Sequence, residues 1–210
     1  MAGKFIVVEG IEGAGKSSCI AVIEDVLRKN GITDLEYTRE PGGTPIAEKL
    51  RAILLEKGSE KVSDETELLL MYASRVQLVN NKIKPALEQG RCVIGDRHDL
   101  SSVAYQGGGR GISLELIKGL KRMVLGDFKP DLTILMDVTP EIGLSRVDNR
   151  GQGRDRFESE KIEFFTRVRN CYLAEAAADP TIKVIDATRP LEQVVADIRN
   201  VVEGFVCSRG

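Results

Sequence analysis

The chain has 210 residues, a length that fits one α/β domain or at most two small ones, and with 42% of them hydrophobic and 30% charged it has ample material for a real core. Thirty Lys and Arg against thirty-two Asp and Glu leave a net charge of −2, so the bulk balance argues against a nucleic-acid or anionic-membrane partner. No apolar run approaches the ~20 residues of a membrane span and no signal-peptide pattern is present, so a cytoplasmic protein is expected.

In chain order, Phe5 to Val8 is a short apolar, β-branched run that predicts a buried strand. A glycine-rich stretch follows, and then a helical pattern over Lys16 to Asn30 that ends at Gly31. Leu35 to Thr38 predicts a second strand. A helix over Pro45 to Glu56 follows the Gly42-Gly43-Thr44 turn, with proline at its first position. A long amphipathic pattern runs from Glu65 to Gln89 and stops at Gly90. Cys92 to Ile94 predicts the third strand, and Gly107-Gly108-Gly109-Arg110-Gly111 after it reads as a mobile loop. Then come a helix over Ser113 to Leu125, a strand over Leu132 to Met136 and a helix over Pro140 to Val147. Asn149 to Arg156 carries three arginines among glycines and reads as a second mobile loop. Helices over Glu160 to Ala178 and Leu191 to Phe205 flank a last strand, Lys183 to Ile185. Strands alternating with helices predict a parallel sheet covered on both faces.

The glycine-rich stretch carries the first chemistry. Gly10, Ile11, Glu12, Gly13, Ala14, Gly15, Lys16 and Ser17 satisfy G-x-x-x-x-G-K-[ST] between a strand and a helix, the context in which that pattern cradles phosphates. Inward-pointing N–H groups and the helix N-terminus attract an anion. Lys16 is placed to neutralise β- and γ-phosphate charge, and Ser17 to offer a hydroxyl to Mg²⁺. Ser18 completes the ATP-binding set. Glu12 is unexpected, because a carboxylate turned into the cradle would repel phosphates. It must face solvent or another hydrogen-bonding partner such as a sugar hydroxyl.

The four cysteines, Cys19, Cys92, Cys171 and Cys207, form no C-x-x-C pair and His98 is the single histidine, which argues against zinc and disulfide frameworks. A regulatory GTPase would read guanine with N-K-x-D; the one Asn-Lys here, Asn81-Lys82-Ile83-Lys84, lacks the aspartate. Arg39 and Arg97 instead follow the second and third strands at carboxyl ends, where a parallel sheet binds ligands. Two phosphate-bearing substrates need positive charge there.

Several segments resemble the bacterial thymidylate kinases along essentially the whole chain. They include Thr38 to Thr44, Tyr72-Ala73-Ser74-Arg75, Asp96-Arg97-His98, Ala104 to Gly111 and Asp155-Arg156-Phe157-Glu158. The resemblance implies a three-layer P-loop kinase fold with a five-stranded parallel sheet and a mobile lid at about 148–157. It implies transfer of the γ-phosphoryl group of MgATP to dTMP, giving dTDP for dTTP synthesis, by a homodimer. Carried over by position, Glu12 binds the deoxyribose 3′-hydroxyl, and Arg39 and Arg97 hold the acceptor phosphate. Arg75 donates to thymine O4, with Ser102 and Gln106 near the base edge, and Tyr105 packs against the sugar. Asp96 belongs to the Mg²⁺ shell with Ser17.

Gly13 stands where some family members have a basic residue, so transition-state charge is expected from Arg150, Arg154 and Arg156, with Arg146 near the adenine. Met71 stands where the family commonly has a base-stacking Phe. Positions 71 and 75 share a helix face, so Met71 is expected over the base. A donor such as Arg75 fits O4 of thymine and opposes the amine of cytosine. The acceptor phosphate is already anionic, so no general base is needed and His98 is expected to pack or hydrogen-bond. The alternatives are a kinase for another pyrimidine monophosphate and a non-catalytic P-loop regulator.

Overall fold

Side chains along β1 (Phe5–Glu9) alternate between two apolar environments. Ile6 and Val8 join one core, Phe5 and Val7 the other. Such a strand is buried on both faces, and each fully buried aliphatic contributes about 1.5–3 kcal/mol. The computed structural model describes residues 3–58, 60–149 and 155–207. Beside β1 lie β2 (Leu35–Arg39), β3 (Cys92–Asp96), β4 (Leu132–Asp137) and β5 (Ile182–Asp186). Their order is β2-β3-β1-β4-β5 and every pairing is parallel.

The first core is closed by α1 (Lys16–Lys29), α8 (Ile162–Ala178) and α9 (Leu191–Cys207). The second is closed by α3 (Asp64–Leu78), α4 (Lys84–Glu88) and α6 (Leu114–Leu125). The three layers expected from the alternation are therefore present. Packed on α3 is α2 (Pro45–Leu55), started by Pro45 and by Thr44, whose hydroxyl accepts from the Ala47 N–H. Ser63 caps α3 in the same way, through Thr66 N. α7 (Pro140–Asp148) follows β4. No helix among the described residues is long and apolar enough to cross a membrane.

Two local departures have physical causes. The long helix expected over Glu65 to Gln89 is interrupted by a π turn, Val79–Ile83, between α3 and α4. Pro85 has no N–H for the Asn81 carbonyl four residues back, and its ring would crowd that carbonyl. A widened turn just before it relieves the conflict.

The second departure corrects the loop expected at Gly107 to Gly111. A short helix, α5 (Asp99–Ser102), runs into a second π turn, Val103–Gly109, and most of that turn is buried against α8. A Cβ on Gly108 would sit 2.5 Å from the Cys171 Cβ, and one on Gly109 would sit 2.5 Å from the Phe164 ring. These glycines serve close backbone approach. Of the expected lid, residues 150–154 lie outside the described residues. The part that follows begins with a turn in which Asp155 and Glu158 exchange backbone-to-carboxylate hydrogen bonds.

Candidate active site

The cradle occupies the carboxyl end of β1 and turns into α1. Gly13 has φ 72°, and a side chain there would collide with the backbone of Gly143 on α7. Only glycine fits, which excludes a basic residue at this position without moving α7. Gly15 opens α1 with no side-chain cap, so the first N–H groups of the helix remain available to an anion. The Lys16 ammonium rests on the carbonyls of Gly10 at 3.3 Å and Ile11 at 3.1 Å. Burial first, and then the neighbouring Arg97 charge, bring its pKa down to about 8.

Glu12 turns out of the cradle. Its carboxylate accepts from Arg97 Nη2 at 2.8 Å and from the Tyr105 hydroxyl at 2.6 Å. Arg97 adopts φ 69°, uncommon for a residue with a Cβ. Its N–H is held by the Val8 carbonyl, and its guanidinium also donates to Gly10 O, Ser101 Oγ and the hydroxyls of Tyr172 and Tyr105. Burial opposes its charge, but the oxygens of Tyr105 and Glu12 hold it well above the usual range. Behind it Glu9, fully buried, accepts from His98 N, Ser101 and Tyr172. Burial raises its pKa and Arg97 opposes the rise.

A cleft of about 440 Å³ extends from the cradle past Arg97 to α3. Its far wall holds Arg75, 1% exposed. Arg75 Nε donates to Glu40 Oε2 at 2.6 Å, Nη1 to Ser102 Oγ at 2.9 Å and Nη2 to His98 O at 3.1 Å. Burial disfavours the charge, yet Glu40 and Asp99 overcome it and raise the Arg75 pKa. Three of its five N–H groups are engaged in these bonds, and Nη1 also lies 3.8 Å from Asp99 Oδ1; one N–H on each Nη makes no hydrogen bond among the described residues. His98 meets the other Glu40 oxygen at 2.7 Å and packs edge-on to Phe5 and Phe128. Met71, half-buried one turn before Arg75, lines the same cleft, as do Ser102, Tyr105 and Gln106.

The remaining expected residues fall in different places. Arg39 lines the cleft and is exposed, its Nη2 donating to both Glu48 oxygens at 3.0 and 2.9 Å and its Nη1 to Pro41 O. Ser17 and Ser18 are exposed on the cradle side. The Asp96 carboxylate borders the same space with one buried oxygen that no hydrogen bond satisfies. A hydroxyl and an orphaned carboxylate oxygen beside a phosphate cradle are the hard donors that suit Mg²⁺. Arg146 donates to Gly13 O and Ala187 O, bracing the cradle.

Arg156 does not join the others at the cleft. It donates to Leu54 O at 2.7 Å and pairs with the fully buried Glu67 at 2.7 Å. Arg150 and Arg154 lie outside the described residues. Several residues of the site escaped the sequence reading, among them Arg51, Glu40 and Glu67. Arg51 lines the cleft and donates to Pro41 O at 2.9 Å. Its signal was the spacing Ala47, Arg51, Leu54, which sets an arginine on the inward face of α2. Glu40 and Glu67 had no local signal.

An anion cradle and a charged acceptor pocket sharing one cleft, at the carboxyl edge of a parallel sheet, define a P-loop kinase of small nucleotides. The model of the thymidylate kinase family matches residues 8–198 of the chain, and the protein belongs to that family. It is accordingly a nucleoside monophosphate kinase.

Proposed function

We propose that the protein transfers the γ-phosphoryl group of MgATP to dTMP and releases dTDP, supplying dTTP synthesis. It acts in the cytoplasm as one domain, 1–210, and as a homodimer. The observation that carries the reading is Arg75. A guanidinium immobilised by Glu40, Ser102 and a carbonyl, with donors left over beside Gln106 and Met71, suits a base with a carbonyl at its 4-position. Cytosine, with an amine there, would face donor against donor.

The chemistry needs little beyond placement and charge. The acceptor phosphate is an anion already, so proton removal is not required, and positioning with electrostatic stabilisation supplies the rate. Lys16 and the first N–H groups of α1 hold the donor phosphates. Ser17 and Asp96 would hold Mg²⁺, which would supply positive charge at the donor phosphates. Arg97 spans the two halves: it touches the Gly10 carbonyl on the donor side and Tyr105 on the acceptor side. With Arg39 and Arg51 it receives the acceptor phosphate. Glu12 takes the 3′-hydroxyl and Tyr105 the sugar face. The segment at about 148–157 acts as a lid, with Arg150 and Arg154 bringing charge to the transferring group and Arg156 anchoring the segment at Glu67.

ADP release, coupled to a dehydrogenase and measured over a panel of nucleoside monophosphates with Mg²⁺ and ATP, tests the reading. Activity should be highest with dTMP and lower with dUMP by about 1–3 kcal/mol, the worth of one methyl contact. With dCMP it should be close to background. Equal rates with dTMP and dCMP, or release independent of any acceptor, would overturn it.

A further inference from the structure

Buried behind the acceptor pocket is a carboxylate to which the proposed function gives only an anchoring contact with Arg156. Glu67, on the first turn of α3, is 0% exposed. One of its oxygens accepts from Gln106 Nε2 at 2.8 Å and Arg110 Nε at 3.2 Å. The other accepts from Arg110 Nη2 at 3.0 Å and forms an ion pair with Arg156 Nη1 at 2.7 Å. Arg110 is fixed in turn by Glu160 and lies over the Phe164 ring. Two guanidinium groups therefore compensate one buried carboxylate, which is the condition for keeping an ion there.

The consequence for Gln106 is orientational. A primary amide carries a donor and an acceptor, and its neighbours decide which way round it sits. A carboxylate held by two guanidiniums can only accept, so it takes the NH₂ group. The Gln106 carbonyl oxygen has no hydrogen-bond partner among the described residues, and Gln106 lines the cleft. The group left for a ligand is an acceptor. Tyr105 and Gln106 on the π turn, and Ser102 just before it, all line the cleft. On α3, positions 67, 71 and 75 recur every four residues and share one face. Glu67 thus stands one turn before Met71 and two turns before Arg75.

We propose that Glu67 is a positioning residue that fixes the Gln106 amide with its carbonyl toward the acceptor base, and so sets the preference for a pyrimidine bearing a proton at N3. The inference rests on the acceptor reading given above and adds its second half. Arg75 offers donors where thymine has O4, and Gln106 offers an acceptor where thymine has N3–H. Cytosine presents the reverse at both positions, an amine at C4 and a lone pair at N3. One buried carboxylate then decides half of the discrimination without touching the substrate.

Glu67→Gln tests this, because an amide at position 67 can offer either a carbonyl or an NH₂ to Gln106 and so lets that amide turn over. Steady-state kinetics on the full chain, with the melting temperature recorded, should show the preference for dTMP over dCMP falling by about tenfold or more. The fall should come chiefly from a higher KM for dTMP, with a smaller change in kcat. A folded Glu67→Gln protein that keeps the full preference overturns the role of Glu67. A merely structural carboxylate would lower the melting temperature without moving that ratio.

Should the variant not fold, NMR of the Gln106 side-chain amide in the unaltered protein decides. Its NH₂ protons should stay bonded to Glu67 on addition of dTMP, and an NH₂ that leaves Glu67 for the ligand overturns the proposal. Equal use of dTMP and dCMP by the unaltered protein would overturn the acceptor reading itself, and this proposal with it.

Discussion

The two halves of the cleft are made of different material. The donor half is backbone: glycines, N–H groups at the start of α1 and one lysine resting on the carbonyls of Gly10 and Ile11. The acceptor half is side chain: Arg75, Glu40, His98, Ser102, Gln106 and Glu67, each buried and each held by another. A backbone cradle accepts any polyphosphate that fits its curve and leaves identity to be read elsewhere. Interlocked buried side chains present a fixed pattern of donors and acceptors, which is what choosing a base requires. Damage to the donor half should therefore show as rate, and damage to the acceptor half as stability and selectivity.

The largest effect is expected at Glu40. Glu40→Ala leaves the Arg75 guanidinium buried without its nearest carboxylate. Breaking a pair of this kind costs about 3–5 kcal/mol, read as a shift of the denaturant midpoint, and the folded fraction should bind dTMP weakly. A loss below about 1 kcal/mol would mean that water or Asp99 replaces the carboxylate, and the rigid acceptor half would be wrong.

Lys16→Ala should break the donor half in the opposite manner. Turnover should fall by roughly two orders of magnitude or more, while the midpoint stays close to that of the unaltered protein. Near-normal turnover in the folded variant would remove Lys16 from the transferring phosphate.

The depressed pKa of Lys16 sharpens the contrast through pH. In the free protein the ammonium loses its proton as pH rises through about 8. Bound phosphates favour the charged form, so above that pH binding must take a proton up, and below it this group contributes no pH dependence. The dissociation constant for ATP, measured by calorimetry from pH 7 to 9.5, should be flat at first. It should then rise by up to about tenfold per pH unit. Lys16→Arg, always charged, should flatten the curve. A flat curve in the unaltered protein would contradict the assigned shift.

The smallest effect concerns Met71, which borders the cleft and also packs against the core. A sulfur-to-ring contact is worth about 0.3–1.5 kcal/mol, so Met71→Ala should weaken dTMP binding several-fold and leave ATP affinity alone. Met71→Phe should preserve or tighten dTMP binding. Lost stability with unaltered dTMP affinity would make Met71 a core residue only.

The same difference in material explains what could be read before the structure. The five strands, their parallel arrangement and the cradle are written in short local patterns, and all appear where the apolar runs and the glycines put them. The acceptor half joins residues far apart in the chain, Glu40 with Arg75 at a separation of 35 and Glu67 with Gln106 at 39. No spacing rule connects them, and Arg75 and Gln106 were legible only through resemblance. The glycines at 107–109 misled because close packing and flexibility use the same residue. Arg156 was grouped with the lid by its position in sequence, but its partner, Glu67, lies on α3.

The claim that the acceptor half reads a pyrimidine by its N3–H and 4-carbonyl is tested most directly by internal competition. The protein, MgATP, and equal concentrations of dTMP and dCMP are mixed, and dTDP and dCDP are separated and counted at low conversion. The product ratio is the ratio of the two kcat/KM values, free of differences between preparations. dTDP is expected in excess by about a hundredfold or more. Comparable amounts of dTDP and dCDP would contradict it.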